Sequence, residues 1–106
     1  MEQNYQEDEY YLPMKSFPNY YISNYGNIVN NKLGYDIHVI VQLNKLGYPI
    51  VELINKKSNK KVVPVYILVA AHFVPKNKSN FDSERVEFID KNILNHKSSN
   101  LKWAKS

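Results

Sequence analysis

Four lysines in one short polar stretch are the densest concentration of charge in this sequence. Lys56, Lys57, Lys60 and Lys61 fall within residues 55–61, between two apolar segments, and this composition predicts a turn with the lysines at a hairpin tip. Ammonium groups held there could each neutralise a nucleic-acid phosphate and release its counterion. A solvated turn without a ligand is an equally ordinary interpretation, so both remain open.

The three histidines are the residues that could act as a base or a metal ligand near neutral pH. His38, His72 and His96 show neither HxH nor HxxxH spacing, and the chain has no cysteine, so a zinc site built from them is disfavoured. The absence of cysteine also excludes disulfide scaffolds, thiolate zinc sites and cysteine nucleophiles.

The elements that position these side chains belong to one small folded domain. A chain of 106 residues with 43% hydrophobic and 13% aromatic residues can bury one modest core. Four of the 10 acidic residues lie in the first nine positions, which predicts an acidic flexible tail over residues 1–10 and a basic domain over residues 11–106. No apolar run is long enough to span a membrane and the start is unlike a secretory signal, so an intracellular protein is expected, in host cytoplasm or nucleus or in a virion.

Two features of the composition bear on source and partner. Asn, Lys, Tyr and Ile are the residue types that A/T-rich codons specify, which favours a viral, mobile-element or low-GC microbial origin. Arg85 is the only arginine beside 13 lysines. Because lysine reaches phosphates as a point charge whereas arginine reads guanine edges, any nucleic-acid contact should favour the backbone over the bases.

Periodicity predicts an α+β fold with a small antiparallel β meander and one short helix. Residues 20–23 and 27–29 flank a turn at Gly26, residues 36–42 alternate as a strand, and residues 48–54 and 62–65 form a further pair. Residues 66–73 have helical spacing and Pro75 ends the helix. Residues 76–84 are predicted to be a polar loop, and residues 85–89 and 101–104 to be the last strands.

Two stretches, in this order, resemble the small HNH homing endonucleases of phages and mobile introns. The first, residues 11–28, resembles their N-terminal modular motif, and the second, residues 65–103, resembles their HNH region. The resemblance implies a β-rich module over residues 11–65 and a degenerate HNH half, of the ββα-metal type, over residues 66–106. The matching positions are Tyr20, Ile22, Ser23, Asn24 and Gly26, then Leu68, Val69, Ala70, Phe73, Pro75, Val86, Asp90, Asn92, Asn95, His96, Asn100, Leu101 and Trp103.

The departures from that family concern its chemistry. The resemblance places Phe88 where the family has its general-base His, and a phenyl ring has no lone pair to accept a proton. Glu87 stands where the family has a metal-binding Asp or Asn, so it could be a single surviving ligand or an ordinary strand carboxylate. Asn100 corresponds to the residue that orients the catalytic His. The chain stops at Ser106, before the family's C-terminal helix with its second metal ligand, which we therefore expect to be missing.

Other positions have both a functional and a structural interpretation. His96 could serve as a substitute base, although hydrogen bonding within the loop is favoured for it. Asn92, Asn95 and Asn100 are expected to brace that loop through their amides. Without the final helix, the face carrying Phe88, Leu101 and Trp103 needs another cover, which could be the chain's own N-terminal meander, a second copy or a partner protein. We expect this face to be a hydrophobic contact or self-association surface.

Three functions remain in competition. The first is a catalytically inactive HNH-like protein that binds double-stranded DNA through its Lys-rich face as a regulatory or structural factor. The second is a protein-interaction module or inhibitor of viral or mobile-element origin, without DNA binding, with a protein partner or a second copy as its ligand. The third is a weak nuclease using Glu87 and His96. No cofactor is expected, except Mg²⁺ if the third function holds.

Overall fold

The computed structural model describes residues 8–76 and 81–105, and within them it has an α+β architecture with three antiparallel sheets, as the sequence predicts. No helix among the described residues combines the length and apolar character needed to cross a membrane. The elements are β1 (Tyr11–Pro13), β2 (Tyr20–Ser23), β3 (Ile28–Asn30), β4 (Ile37–His38), β5 (Gln42–Leu43), β6 (Pro49–Ile54), β7 (Lys60–Pro64), α1 (Val65–Phe73), β8 (Phe81–Phe88) and β9 (Leu101–Lys105).

The first sheet has the strand order β1-β2-β3-β4 and contains the predicted hairpin between β2 and β3. Gly26 adopts a φ of 94° in the connecting turn, where its N–H donates to the Ser23 carbonyl at 2.9 Å. This left-handed conformation favours glycine because it has no Cβ. Ile22 and Ile28 face each other across the hairpin and are fully buried, so this hairpin contributes directly to the core.

The predicted strand over residues 36–42 is wrong as one element. Its beginning forms β4, which pairs with β3, and its end forms β5, which pairs with β6 in the second sheet. The chain changes sheets between them, and the Val39 N–H donates to the Ile28 carbonyl at 2.9 Å. The alternating pattern does not predict this division, because the two ends of the segment pair with different strands. Strand pairing depends on residues that are distant in the sequence.

The second sheet has the order β5-β6-β7 and presents the four-lysine turn at its end. Val51 and Leu53 on β6 are buried, and the Ile54 N–H donates to the Tyr20 hydroxyl at 3.3 Å, which ties this sheet to the first. The Asn55 side chain accepts from the N–H groups of Lys57 and Asn59 at 2.9 and 3.0 Å. The turn predicted over residues 55–61 is thus present, and an asparagine side chain braces it.

Helix α1 follows directly from β7 and packs its apolar side chains into the core. The predicted helix is confirmed to within one residue, with Val65, Leu68, Val69 and Ala70 buried. The Trp103 indole N–H of β9 donates to the Val74 carbonyl just beyond the helix, at 2.9 Å. One side-chain contact therefore connects the end of α1 to the third sheet.

The third sheet is the β8–β9 pair. The prediction of a polar loop through residue 84 is wrong from Phe81 onward, because β8 begins there and pairs with β9. Residues 77–80 of that predicted loop lie outside the described residues. Pairing with β9 explains why β8 is longer than predicted, since a polar strand can form wherever a partner strand satisfies its backbone hydrogen bonds.

The acidic segment is attached to the domain over its last three residues. The Asn24 side chain accepts from the Tyr10 N–H at 2.9 Å and donates to the Asp8 carbonyl at 3.1 Å. The Glu9 carboxylate accepts from the Asn27 amide at 2.6 Å, and hydrogen bonds, led by one with Ser23, lower its pKa. The predicted tail is therefore too long at its C-terminal end, and residues 1–7 lie outside the described residues.

Candidate functional site

The end of β8 places Phe88 in an aromatic cluster. The Phe88 ring centroid lies 4.9 Å from that of Tyr66 on α1 and 6.2 Å from that of Tyr48, and the side chain is 9% exposed. Burial, followed by the nearby Tyr48, raises the pKa of Tyr66, which keeps its hydroxyl neutral at physiological pH. The position is therefore filled by the Phe88 ring, which packs against the rings of Tyr48 and Tyr66.

The contact surface predicted from Phe88, Leu101 and Trp103 requires correction. All three side chains are buried and belong to the chain's own core cluster, together with residues from β2, β3, β6 and α1. The N-terminal meander and the helix cover this face, so it needs no external cover. Of the covers that the sequence left open, the structure shows the chain's own N-terminal meander, together with α1.

Glu87 points away from Phe88, as alternation along a strand requires. Its side chain is 52% exposed, and its Oε1 lies 3.8 Å from the Nζ of Lys102, the residue opposite it on β9. Such an exposed ion pair contributes little to stability. Among the side chains that the structure describes, no group of three or more His, Asp or Glu is placed to hold a metal ion.

Asn100 is the centre of a hydrogen-bonded brace. Its amide nitrogen donates to Asp90 Oδ1 at 2.9 Å and to the Asn95 carbonyl at 2.8 Å, while its oxygen accepts from the Asp90 N–H at 3.0 Å. Hydrogen bonds from Asn95, Asn92 and Asn100 lower the pKa of Asp90. The Asn92 side chain accepts from the Leu94 N–H at 3.0 Å. The amides thus hold the connection between β8 and β9, as expected.

His96 packs against the first hairpin. Its Nδ1–H donates to the Tyr25 carbonyl at 3.1 Å, and a Cβ at Gly26 would collide with the imidazole ring. Burial lowers the pKa of His96, so the ring is neutral at physiological pH. The loop-bonding interpretation of His96 agrees with these contacts. The imidazole ring of His96 therefore holds the β8–β9 connection against the β2–β3 turn.

His72 also has a structural position. Its Nε2 accepts from the Lys15 N–H at 3.0 Å, so its Nδ1 carries the proton and donates to the Leu68 carbonyl at 2.8 Å. His38 lies on β4, at the edge of the first sheet. The three histidines are thus placed on three different elements with separate contacts.

The predicted lysine turn lies between two clefts. Lys56, Lys57, Lys60 and Lys61 are all exposed. One cleft, of about 390 Å³, is lined by Lys56, Lys57 and Lys61 with Ser16, Asn55 and Asn59. The other, of about 180 Å³, lies between this turn and the first sheet, with Lys32 on one wall and Lys56 on the other.

Among the residues that the structure describes, no acidic side chain lines either of these clefts. Cationic clefts with only neutral hydrogen-bonding neighbours suit a polyanion. Lys32 was missed by the sequence analysis, because it is 24 positions from Lys56 and only the pairing of the sheets brings them to one cleft. The only feature of the sequence that could have indicated Lys32 is its position in a second asparagine-rich turn.

Comparison with known proteins agrees with this architecture. No protein-family profile matches the chain. An uncharacterized HNH endonuclease of Acanthamoeba polyphaga mimivirus is 33% identical over 93 residues, which cover 88% of this chain and 22% of that protein. The structure of the HNH homing endonuclease I-HmuI, described in a study of its DNA binding and cleavage, superimposes with a TM-score of 0.74 and 28% identity. This chain is a relative of the HNH endonucleases.

The HNH relationship covers only a part of those proteins. The superposition with I-HmuI includes 91% of this chain but 52% of that one, and the match to the mimivirus protein spans about a fifth of its length. Within this shared HNH part, the resemblance assigns the general-base position to Phe88. The aromatic contacts of Phe88 were not predicted, because Tyr48 and Tyr66 lie far from it in sequence.

Proposed function

We propose that this chain is a catalytically inactive HNH-endonuclease-like protein that binds double-stranded DNA through its lysine clefts, as a regulatory or structural factor. The observation that carries the first half of the proposal is the packing of Phe88 against Tyr48 and Tyr66. A hydrolytic site needs a group that accepts a proton from the attacking water. At the position that the resemblance assigns to this group, the chain has a buried phenyl ring.

A nicking assay tests the inactivity. Supercoiled plasmid incubated with the purified chain and Mg²⁺ or Mn²⁺ should remain intact, at the level of a no-protein control. Nicking that is abolished in Glu87→Ala and retained in Glu52→Ala, another exposed carboxylate on a strand, would overturn the proposal. That result would support the weak nuclease using Glu87 and His96 instead.

The lysine clefts support the second half of the proposal. Lys32, Lys56, Lys57 and Lys61 line two neighbouring clefts to which no described residue contributes a carboxylate, on a chain with a net charge of +4. Each ammonium group that contacts a phosphate releases condensed counterions, so affinity arises without base recognition. The relationship to I-HmuI, an HNH homing endonuclease that binds and cleaves DNA, is consistent with this ligand.

Fluorescence anisotropy of a labelled duplex over a salt series tests the binding. The wild-type chain should bind with an affinity that falls steeply with salt, and Lys56→Gln with Lys57→Gln should lower the slope by roughly 0.9 per lost phosphate contact. The matched control is Lys91→Gln with Lys102→Gln, two lysines outside the clefts, which should leave the slope unchanged. Equal slopes in both variants would contradict the assignment of the turn, and no binding at low salt would support the protein-interaction module.

A further inference from the structure

The smaller of the two lysine clefts, of about 180 Å³, is formed by turns that belong to two different sheets. The turn between β3 and β4 contributes Lys32 to its wall, and the turn between β6 and β7 contributes Lys56. Pockets for drug-sized ligands have volumes of about 300–1,000 Å³, so this cleft lies below their range. A compact charged group is therefore a more suitable ligand than a nucleoside.

Two asparagines of this cleft use their side-chain oxygens inside their own turns. The Asn30 Oδ1 accepts from the Lys32 N–H at 2.8 Å. The Asn55 Oδ1 accepts from the N–H groups of Lys57 and Asn59 at 2.9 and 3.0 Å. Because the amide oxygens are engaged with the backbone, the NH₂ groups are the parts of these side chains that remain to bind a ligand.

Hydroxyl groups add further donors to the same cleft. The Tyr20 hydroxyl accepts from the Ile54 N–H at 3.3 Å, which leaves its own proton to be donated. Ser58, in the four-lysine turn, contributes a second hydroxyl, and no described residue adds a carboxylate. The cleft thus combines two ammonium groups with neutral donors, and it suits a ligand that carries negative charge and acceptor atoms.

We propose that this cleft is a binding site for one phosphate group, held by Lys32 and Lys56 together. The oxygens of a phosphate act as strong acceptors, and charge-assisted hydrogen bonds from ammonium groups are among the strongest in proteins. Identifying this phosphate as one of the DNA backbone rests on the proposed function, because a free phosphate has the same chemistry. A backbone phosphate held between two sheets would fix the orientation of the duplex on the domain.

A nuclear magnetic resonance titration with inorganic phosphate, at constant ionic strength, tests the site without DNA. The backbone amide signals of Lys32 and Ser58 should shift and saturate. Those of Leu46 and Tyr48 should not, since they belong to another asparagine-braced turn, which lines neither lysine cleft. Equal shifts in both turns, or no shift at Lys32 and Ser58, would overturn the proposal.

The same titration distinguishes the two sources of phosphate. A duplex without terminal phosphates should compete with inorganic phosphate for the signals of Lys32 and Ser58, which identifies the DNA backbone as the source. A site that binds inorganic phosphate and is not reached by the duplex would refute the backbone as the source and support a free phosphate. The result with inorganic phosphate decides whether the site exists even if the chain binds no duplex.

Asn55→Asp tests the part played by the amide donors. The substitution keeps an oxygen that can brace the turn and replaces the NH₂ donor with a second carboxylate oxygen. Asn44→Asp is the matched control, because the Asn44 Oδ1 accepts from the N–H groups of Leu46 and Tyr48 at 2.9 and 3.0 Å, at the opposite end of β6. Asn55→Asp should bind inorganic phosphate about tenfold more weakly than Asn44→Asp does, since it loses a hydrogen bond to a charged group. Equal affinities in two variants whose circular dichroism matches the wild type would contradict the assigned donors.

The salt dependence of duplex binding shows whether the two lysines share one phosphate. Lys32→Gln with Lys56→Gln should lower the slope by about 0.9, the value for one phosphate contact, whereas two separate contacts would lower it by about 1.8. Lys91→Gln with Lys102→Gln removes the same charge outside the clefts and should leave the slope unchanged. A decrease near 1.8, or an equal decrease in both pairs, would overturn the shared site while duplex binding itself stands.

Discussion

Phe88 shows how one side chain can change the character of a site. The ring is held between Tyr66 of α1 and Tyr48, with centroid distances that are typical of favourable aromatic pairs. Because the position is buried, a polar group placed at residue 88 would lose its hydrogen bonds to water. The surroundings of this position are therefore matched to a phenyl ring, and restoring the family's imidazole is not a simple reversal.

Phe88→His should leave the chain unable to nick plasmid and should lower the free energy of unfolding by about 1–3 kcal/mol. The imidazole nitrogens would lose water at a buried position that packs a phenyl ring in the wild type, which accounts for the cost. Urea denaturation and the nicking assay measure the two effects. Phe88→Leu serves as the control, since it removes the ring without introducing a polar group. Metal-dependent cleavage by Phe88→His would show that the position remains accessible to substrate.

His96 predicts a dependence of stability on pH. Burial lowers its pKa in the folded state below the ordinary value of 6.5, so the unfolded chain takes up a proton first as the pH falls. The contribution of His96 is therefore complete above about pH 6.5 and is lost progressively on acidification. Thermal unfolding at pH 8 and pH 5 should show a smaller difference in His96→Gln than in the wild type. An identical difference would mean that His96 does not titrate with unfolding.

At the scale of elements, the sequence correctly predicted the features that depend only on residues close together in the chain. Gly26 predicted the β2–β3 turn because its positive φ is intrinsically accessible to glycine, and the apolar spacing before Pro75 predicted α1. The predictions of a single strand over residues 36–42 and of the start of the strand that became β8 were wrong, because each depends on which distant strand supplies a partner. No local pattern contains that information.

The candidate site likewise has a part that the sequence predicts and a part that depends on tertiary packing. The four-lysine turn was predictable, since it consists of neighbours in sequence, whereas the wall contributed by Lys32 arises only when the two sheets meet. The family resemblance identified Phe88 and Glu87 as the altered positions. Their environments, one buried among rings and the other exposed beside Lys102, follow from the alternation of β8 together with packing from β6 and α1.

Trp103→Phe should weaken the connection between α1 and β9. The substitution leaves the Val74 carbonyl without its indole donor, which costs about 1–2 kcal/mol where the carbonyl is shielded from water. The Lys76 ammonium lies 4.1 Å from the Trp103 ring centroid, so Lys76→Gln is the control that measures this cation–π contact separately. Urea denaturation followed by circular dichroism gives both values. A loss in Trp103→Phe no larger than in Lys76→Gln would contradict a role for the indole hydrogen bond.

On the scale of the whole molecule, three sheets and one helix share a single core. Buried residues from β2, β3, β6, α1, β8 and β9 form one cluster, which predicts a single cooperative unfolding transition. The lysine clefts lie at the surface of this unit. Binding of a polyanion at these clefts would therefore be coupled to the folding of the whole domain.

Duplex DNA should stabilise this scaffold through mass action if the lysine clefts bind it. A ligand that binds only the folded state adds about 2.7 kcal/mol at a concentration one hundred times its dissociation constant, so the Tm measured by calorimetry should rise with added duplex. The rise should disappear at 0.5 M salt, because counterion release no longer favours binding. Lys56→Gln with Lys57→Gln should show a smaller rise than Lys91→Gln with Lys102→Gln. A Tm that is unaffected by duplex at low salt, or a rise of equal size in both variants, would contradict binding at these clefts. A rise seen only in the wild type and in the control pair would assign DNA binding to the lysine turn.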